Sequence, residues 1–300
     1  MDRIEAMRAF LSVADLGSFT EAARRLRLSA AATSRAVAQL EDELGVNLLR
    51  RTTRSVRLTE RGELFHRRCR LILDEFEDTA RLVRGEDSAP RGGLTVSAPM
   101  MFGRMHVAPI VEGLLEAHPA LSVRLLLTDR IVHLVDEGVD LAVRIGDLPD
   151  SALRAVKVGE VRPVIVASPA YVAGRGAPAS PASLGDHQLI AFEGVAATND
   201  WRFGAGGSQV VRIQPRLSVN TAETALLAAE HGLGITRALS YQVADAVADG
   251  RLVMLLEAFA ADPSPVSLVY RAERTGSANV TAFILAARRR FAEHPLPKAA

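Results

Sequence analysis

Apolar positions near the start of the chain recur with helical spacing, and the breaks between them are tight. Met7, Phe10, Leu11 and Ala14 follow i, i+3, i+4, i+7, so one amphipathic helix is predicted over residues 3–16, stopped by Gly17. Ser18 and Glu21 set up a capping box for a short second helix carrying Ala22, Ala23 and Leu26. Ser29 is a suitable N-cap for a third helix that runs to Leu44 and is stopped by Gly45. Its inward stripe is read as Thr33, Val37, Leu40 and Leu44, which leaves Ala30, Ala31, Ser34, Arg35 and Ala38 facing outward. An alanine-rich face could simply pack in a core, but the stripe already fills that role. Three helices joined this closely have the form of a helix-turn-helix, whose last helix enters the major groove by its N-terminal turns.

The period then changes. LLRRTTRSVRLT, residues 48–59, is predicted to form a two-stranded wing. Thr59 is a plausible N-cap for a long helix reaching about Arg84. Leu64, Phe65, Leu71, Ile72, Phe76, Leu82 and Val83 give that helix more apolar positions than one narrow stripe needs, so a dimer arm is expected. GEDSAPRGG, residues 85–93, reads as a hinge.

Beyond the hinge, strands alternate with helices. Strands are expected at LTVSA, LSVRLLLT, LAVRIG, LRAVKVG and PVIVAS, with helices over about 101–118 and over IVHLVDEG, residues 131–138. A second unit of the same kind runs from about Val164 to Pro265. VSLVYR and VTAFILAARRRF supply a further strand and a closing helix. Near-continuous apolar strands between helices argue for parallel sheets covered by helices, an α/β class behind an all-α N-terminal domain.

Composition narrows the function classes. Apolar content of 48% and charged content of 24% belong to a soluble globular chain, and no apolar run approaches a membrane span. The start of the chain does not read as a signal peptide, and one cysteine, Cys69, suits a reducing compartment, so a cytoplasmic protein with no membrane partner is expected. A redox role for Cys69 is weighed below burial in a helix seam. Net charge is only +1, yet eight arginines face two glutamates between Arg50 and Arg70. A charge run of this kind is often a solvated face; laid on a threonine- and valine-rich ribbon, it favours phosphate contact. The seven histidines are scattered without metal-ligand spacing, Ser168 precedes a proline rather than sitting in GxSxG, and GxGxxG and P-loop motifs are absent. No catalysis, cofactor or metal is expected.

GSFTEAARRLRLSAAATSRAVAQLEDELGVNLLRRTTRSVRLTERG, Gly17 to Gly62, resembles the DNA-binding segment of LysR-type transcriptional regulators, and the resemblance extends over essentially all 300 residues. It implies a winged helix-turn-helix over 1–59, a linker and dimerisation helix over 60–84 and a hinge over 85–93. It further implies a two-lobed, periplasmic-binding-protein-like sensor domain, with lobe 1 formed by 94–163 and 266–300 and lobe 2 by 164–265. Ser34 and Arg35 would contact double-stranded DNA, and Arg51, Thr52, Thr53 and Arg54 would hold its backbone. Relatives often carry glutamine and then serine or proline where this chain has Ala30 and Ala31; alanine offers only close approach or contact with a thymine methyl. The family also implies a homodimer or homotetramer and a small-molecule effector in the cleft.

Strand ends and adjoining helix N-termini are the default ligand positions in such lobes. The first such turn is Pro99, Met100, Met101 and Phe102, whose amide donors suit a carboxylate, although both methionines could equally fill core. Equivalent turns add Asp129 and Arg130, Gly146, Ser168, Phe192, Asn220 and Thr236, with Trp201 as an aromatic candidate more often found in packing. Two functions are thus carried forward: an effector-responsive DNA-binding transcription regulator, and a small-molecule carrier or enzyme whose N-terminal helices only dimerise. The cationic ribbon favours the first.

Overall fold

The structure, a computed structural model, describes residues 2–51, 56–84, 89–148, 152–194 and 199–297. The chain divides into an N-terminal unit, residues 1–92 with the short segment 135–138, and a C-terminal unit holding the rest.

The N-terminal unit contains α1 (Arg3–Leu16), α2 (Phe19–Leu26), α3 (Ala30–Leu44), the strands β1 (Leu49–Arg51) and β2 (Val56–Leu58), and α4 (Glu60–Arg84). Gly17 and Gly45 end α1 and α3 at φ of +63° and +66°, backbone that only glycine adopts cheaply. The Ser18 and Ser29 hydroxyls accept the Glu21 and Ala32 N–H groups, as N-caps should. The core joins Ala9, Phe10 and Val13 to Ala22, to Ala36, Val37 and Leu40, to Leu48 and Leu49, and to Cys69 and Leu73. The predicted stripe of α3 needs one correction. Leu44 lies in the last turn, where Gly45 reverses the chain, and is 42% exposed; Ala36, one step off that stripe, is fully buried.

The C-terminal unit holds two five-stranded sheets. The first has the order β4 (Leu121–Leu127), β3 (Gly92–Ala98), β5 (Leu141–Ile145), β14 (Ser264–Arg271), β6 (Leu153–Val161). It is covered by a continuous helix, α5 (Met100–Phe102), a π turn (Gly103–Val107) and α6 (Ala108–Ala117), and by α10 (Ala278–Glu293). The second has the order β11 (Leu217–Val219), β8 (Leu189–Phe192), β12 (Ile235–Leu239), β7 (Pro163–Ala167), β13 (Val253–Leu255). Its helices are α7 (Pro169–Arg175), α8 (Ala222–Glu230) and α9 (Ser240–Ala248), and the β9 (Asp200–Phe203) and β10 (Gln209–Arg212) hairpin packs on one face. Arg162 is the outgoing crossover between the sheets, and residues 256–263 form the return.

Two expectations fail here. Both sheets are mixed: β14 runs antiparallel to β5 and β6, and β7 antiparallel to β12 and β13. The two crossover strands enter each sheet against its parallel core, which apolar runs alone cannot signal. Residues 131–138 form turns, not a helix; Val132 and Leu134 pack with Val139 and Ala142 as a small separate cluster.

Candidate DNA interface and effector cleft

α3 presents a small, uneven face at its N-terminal end. Ala30, Ala31 and Arg35 are exposed, and Ser34 and Ala38 are half-buried. Thr33, fully buried, satisfies its hydroxyl by donating back to the Ser29 carbonyl at 3.1 Å. The turn before α3 is closed by Arg27 at φ +56° and by the Leu28 N–H bonding to the Ala23 carbonyl. This fixes α3 against α2 without a long loop.

β1 and β2 pair antiparallel, Leu49 opposite Leu58, Arg50 opposite Arg57, and Arg51 opposite Val56. Glu41, on α3, accepts hydrogen bonds from the Leu48 and Leu49 N–H groups at 2.7 and 3.0 Å, so the recognition helix itself anchors the wing. Arg50 and Arg57 are both exposed on one face of the ribbon. Like charges directly opposite one another repel, and among the described residues neither has an ion-pair partner. Such a pair is stabilised by an external anion. Both arginines belong to the basic run between Arg50 and Arg70, whereas the family resemblance points to Arg51, Thr52, Thr53 and Arg54. Thr52, Thr53 and Arg54 lie outside the described residues, as does the side chain of Arg51. Cross-strand register, which needs the turn length, was the missing signal.

α4 starts on the Thr59 cap, whose hydroxyl accepts the Gly62 N–H at 2.9 Å. Its packed face carries Cys69 and Leu73 against α1, with Phe65 meeting Phe10 edge to face at 5.4 Å. Asp15 at the end of α1 bonds to His66 at 2.8 Å and to Arg70 at 2.6 Å. Burial alone would raise the Asp15 pKa; His66 and Arg70 outweigh it and hold the carboxyl below its usual range. The Cys69 thiol is fully buried and pushed up to about 12 by that burial, against a smaller lowering by Arg70, so it is no thiolate. On another face Leu64, Ile72 and Phe76 are each about half exposed, at 51%, 52% and 51%.

In the C-terminal unit, Pro99 precedes α5 and Met100 is exposed. Met101 packs against the cores of both lobes, with Phe192 joining it on the second. The Met100 N–H is already held by the Asp129 carboxylate at 3.0 Å, and the Gly103 N–H bonds to the Pro99 carbonyl. The Met100 N–H, one of the amide donors expected to meet an effector, is therefore occupied from within. Gly146 follows β5, which runs parallel to β3, so it emerges at the same sheet edge as Pro99. Arg130 and Asn220 are exposed, Asn220 immediately after β11. Arg104 of the π turn pairs with Glu223 of α8, tying one lobe to the other.

Four expected residues sit elsewhere. Phe102 is fully buried in the first core, against Tyr241 and Phe291. Ser168 caps α7 by accepting the Tyr171 N–H; it follows β7, whose antiparallel sense puts it at the far end of the sheet from the ends of β8 and β12. Thr236 is fully buried and donates to the Ile190 carbonyl. Trp201 is buried under Arg237, whose guanidinium lies 5.8 Å from the ring centroid. Among the described residues there is no His, Cys, Asp and Glu cluster able to hold a metal, and no helix long and apolar enough to cross a membrane.

Comparison with known proteins matches both units. Residues 4–63 match the bacterial regulatory helix-turn-helix protein family, lysR type, and residues 87–292 match the LysR substrate binding domain. The chain is 32% identical over 298 residues to an HTH-type transcriptional repressor of Pseudomonas aeruginosa, covering 98% of this chain and 94% of that protein. It is 31% identical over 281 residues to the regulator CrgA of Neisseria meningitidis, covering 93% and 94%. The solved structure of CrgA superposes with a TM-score of 0.61 over 95% of this chain and 98% of that one. Full-length AphB, a virulence activator of Vibrio cholerae, superposes at 0.59 with 26% identity over 96% and 98%.

Proposed function

The chain belongs to the LysR family of transcriptional regulators, and from that premise we propose which residues carry its two activities. It is a DNA-binding regulator with an effector-binding domain, and not an enzyme. This favours the regulator over the carrier or enzyme carried forward from the sequence.

For DNA, we assign groove contact to Ala30, Ala31, Ser34 and Arg35. Phosphate contact falls to Arg50 and Arg57 together with Arg51, Thr52, Thr53 and Arg54. The observation that carries this is the exposed, small-residue start of α3 joined through Glu41 to a ribbon bearing two facing arginines. An electrophoretic mobility shift with the DNA upstream of its own gene, run at two salt concentrations, tests it. Salt-dependent binding that prefers this DNA over a scrambled duplex is expected; equal binding to both overturns the assignment.

The exposed Leu64, Ile72 and Phe76 support pairing of α4 between two copies, hence a homodimer, with a homotetramer built from two such pairs. We place the protein in the cytoplasm, where its DNA is.

For the effector, we propose a small carboxylate between the lobes, bounded by Pro99, Met100, Met101, Asp129, Arg130, Gly146, Phe192 and Asn220. The Asp129 carboxylate on the Met100 N–H supports this, because that amide already bonds to a group of the same chemistry. It also competes with one. Among carboxylates screened by thermal shift, a true effector should bind Asp129→Asn more tightly than wild type, since a resident negative charge is removed. Unchanged or weaker binding overturns the carboxylate class. Closure of the lobes on the effector would then shift the population of DNA-bending assemblies.

A further inference from the structure

Behind the β9 and β10 hairpin, the second sheet carries a recess of about 100 Å³ that the cleft does not explain. Residues of the second lobe and its two crossover segments line it: Arg162 of the outgoing crossover, Ala260 and Ala261 of the return, and the hairpin and strands between. None of the cleft residues assigned above contributes to it. Its walls are apolar, chiefly Phe203, Met254 and Leu256, yet three arginines, Arg162, Arg202 and Arg237, open onto it.

Arg237 is the unusual one. It stands on a central strand, half-buried, with its guanidinium over Trp201. Its guanidinium donates to the Asp200 carbonyl at 3.5 Å, the outer limit for such a bond. Among the described residues no carboxylate forms an ion pair with any of the three arginines. Burial lowers the Arg237 pKa. Partial burial of a guanidinium without an ion-pair partner carries a desolvation cost, and that cost falls when an anion enters.

We propose that this recess is a second ligand site, which takes a small carboxylate with a short aliphatic chain. Arg237 and Arg202 hold the carboxylate, and the apolar wall takes the chain. The recess is smaller than the roughly 150 Å³ that accommodates a benzene ring, which limits the body to a few carbons. Glu257 at the lining opposes a more highly charged anion such as phosphate. An occupant would touch both crossovers, so it would bear on how the lobes move.

Trp201 is the only tryptophan and reports on Arg237 directly. The full chain is titrated with sodium pentanoate, 1-pentanol and inorganic phosphate at constant ionic strength, following tryptophan fluorescence. A saturable change with pentanoate alone is expected, weakened about ten-fold or more in Arg237→Met. Arg202→Met, at an exposed side chain, weakens it as well and carries the test where Arg237→Met does not fold. A response absent with pentanoate, or unchanged in both variants, overturns the proposal. A response lost in Asn220→Ala but kept in Arg237→Met places the ligand in the cleft instead, and phosphate matching pentanoate overturns the ligand class.

Discussion

At single positions, burial and charge assign work that residue type alone does not. Arg35 and Arg57 are both exposed arginines of the N-terminal unit, but one projects from the start of α3 and the other from a ribbon. Arg35→Ala should reduce discrimination between the operator and scrambled DNA, by about 1–3 kcal/mol when a base contact is lost. Arg57→Ala should weaken binding to both duplexes alike and flatten the salt dependence by about one phosphate contact. Fluorescence anisotropy at several salt concentrations separates the two; identical profiles would remove the division of labour. Deep in the first lobe, Arg274 pairs with Asp140 at 2.8 Å, both almost fully buried, and the Thr95 N–H bonds to the same carboxylate. Burial raises the Asp140 pKa despite Arg274, so the carboxylate depends on that partner to stay charged. Arg274→Met should cost about 3–5 kcal/mol in urea unfolding, because it strands a buried charge. A loss below about 1 kcal/mol would mean the pair is relieved by water or by protonation.

Between elements, the decisive joint is where the wing meets α4. Gly62 sits one turn into α4 against the Leu48 carbonyl, and a methyl group there would overlap that backbone oxygen. The Thr59 hydroxyl donates to the Asn47 carbonyl while accepting the Gly62 N–H, so strand and helix share one cap. Gly62→Ala should therefore lose stability, by about 1–3 kcal/mol, even though alanine is the better helix former. It should also weaken DNA binding through the displaced wing. A variant as stable as wild type would show that the joint can open without loss. The N-terminal elements were legible because their signals are local: Ser18, Ser29 and Thr59 cap helices, and Gly17 and Gly45 end them. Gly62 carried no such signal. Its reason for being glycine is a neighbour fourteen positions away in the chain, which no helical pattern contains.

Across the C-terminal unit, what the sequence concealed is long-range. Apolar runs located most of the strands, but nothing in β7 or β14 marks them as antiparallel to their neighbours. That direction decides at which end of the sheet a residue emerges, so Ser168 lies at the end opposite Phe192 and Asn220. The same long-range packing creates the clearest response to pH. His106, in the π turn, lies among Phe102, Tyr241 and Phe291, and its buried Nε2 has no hydrogen-bond partner among the described residues. Burial, with a smaller contribution from the Arg290 charge, lowers its pKa to about 4 from an ordinary 6.5. The unfolded chain thus takes up a proton near pH 6.5 that the folded lobe refuses until about pH 4. Stability from this group is complete above pH 6.5 and declines as pH falls toward 4, by at most about 3 kcal/mol. Asp140, with its raised pKa, works the other way, since the folded state holds that proton more tightly. Urea unfolding of the full chain, followed by Trp201 fluorescence between pH 7.5 and 4, should show the decline, and His106→Leu should flatten it. A decline of equal slope in His106→Leu would assign the acid sensitivity to other groups, Asp15 first among them, whose lowered pKa acts in the same direction at lower pH.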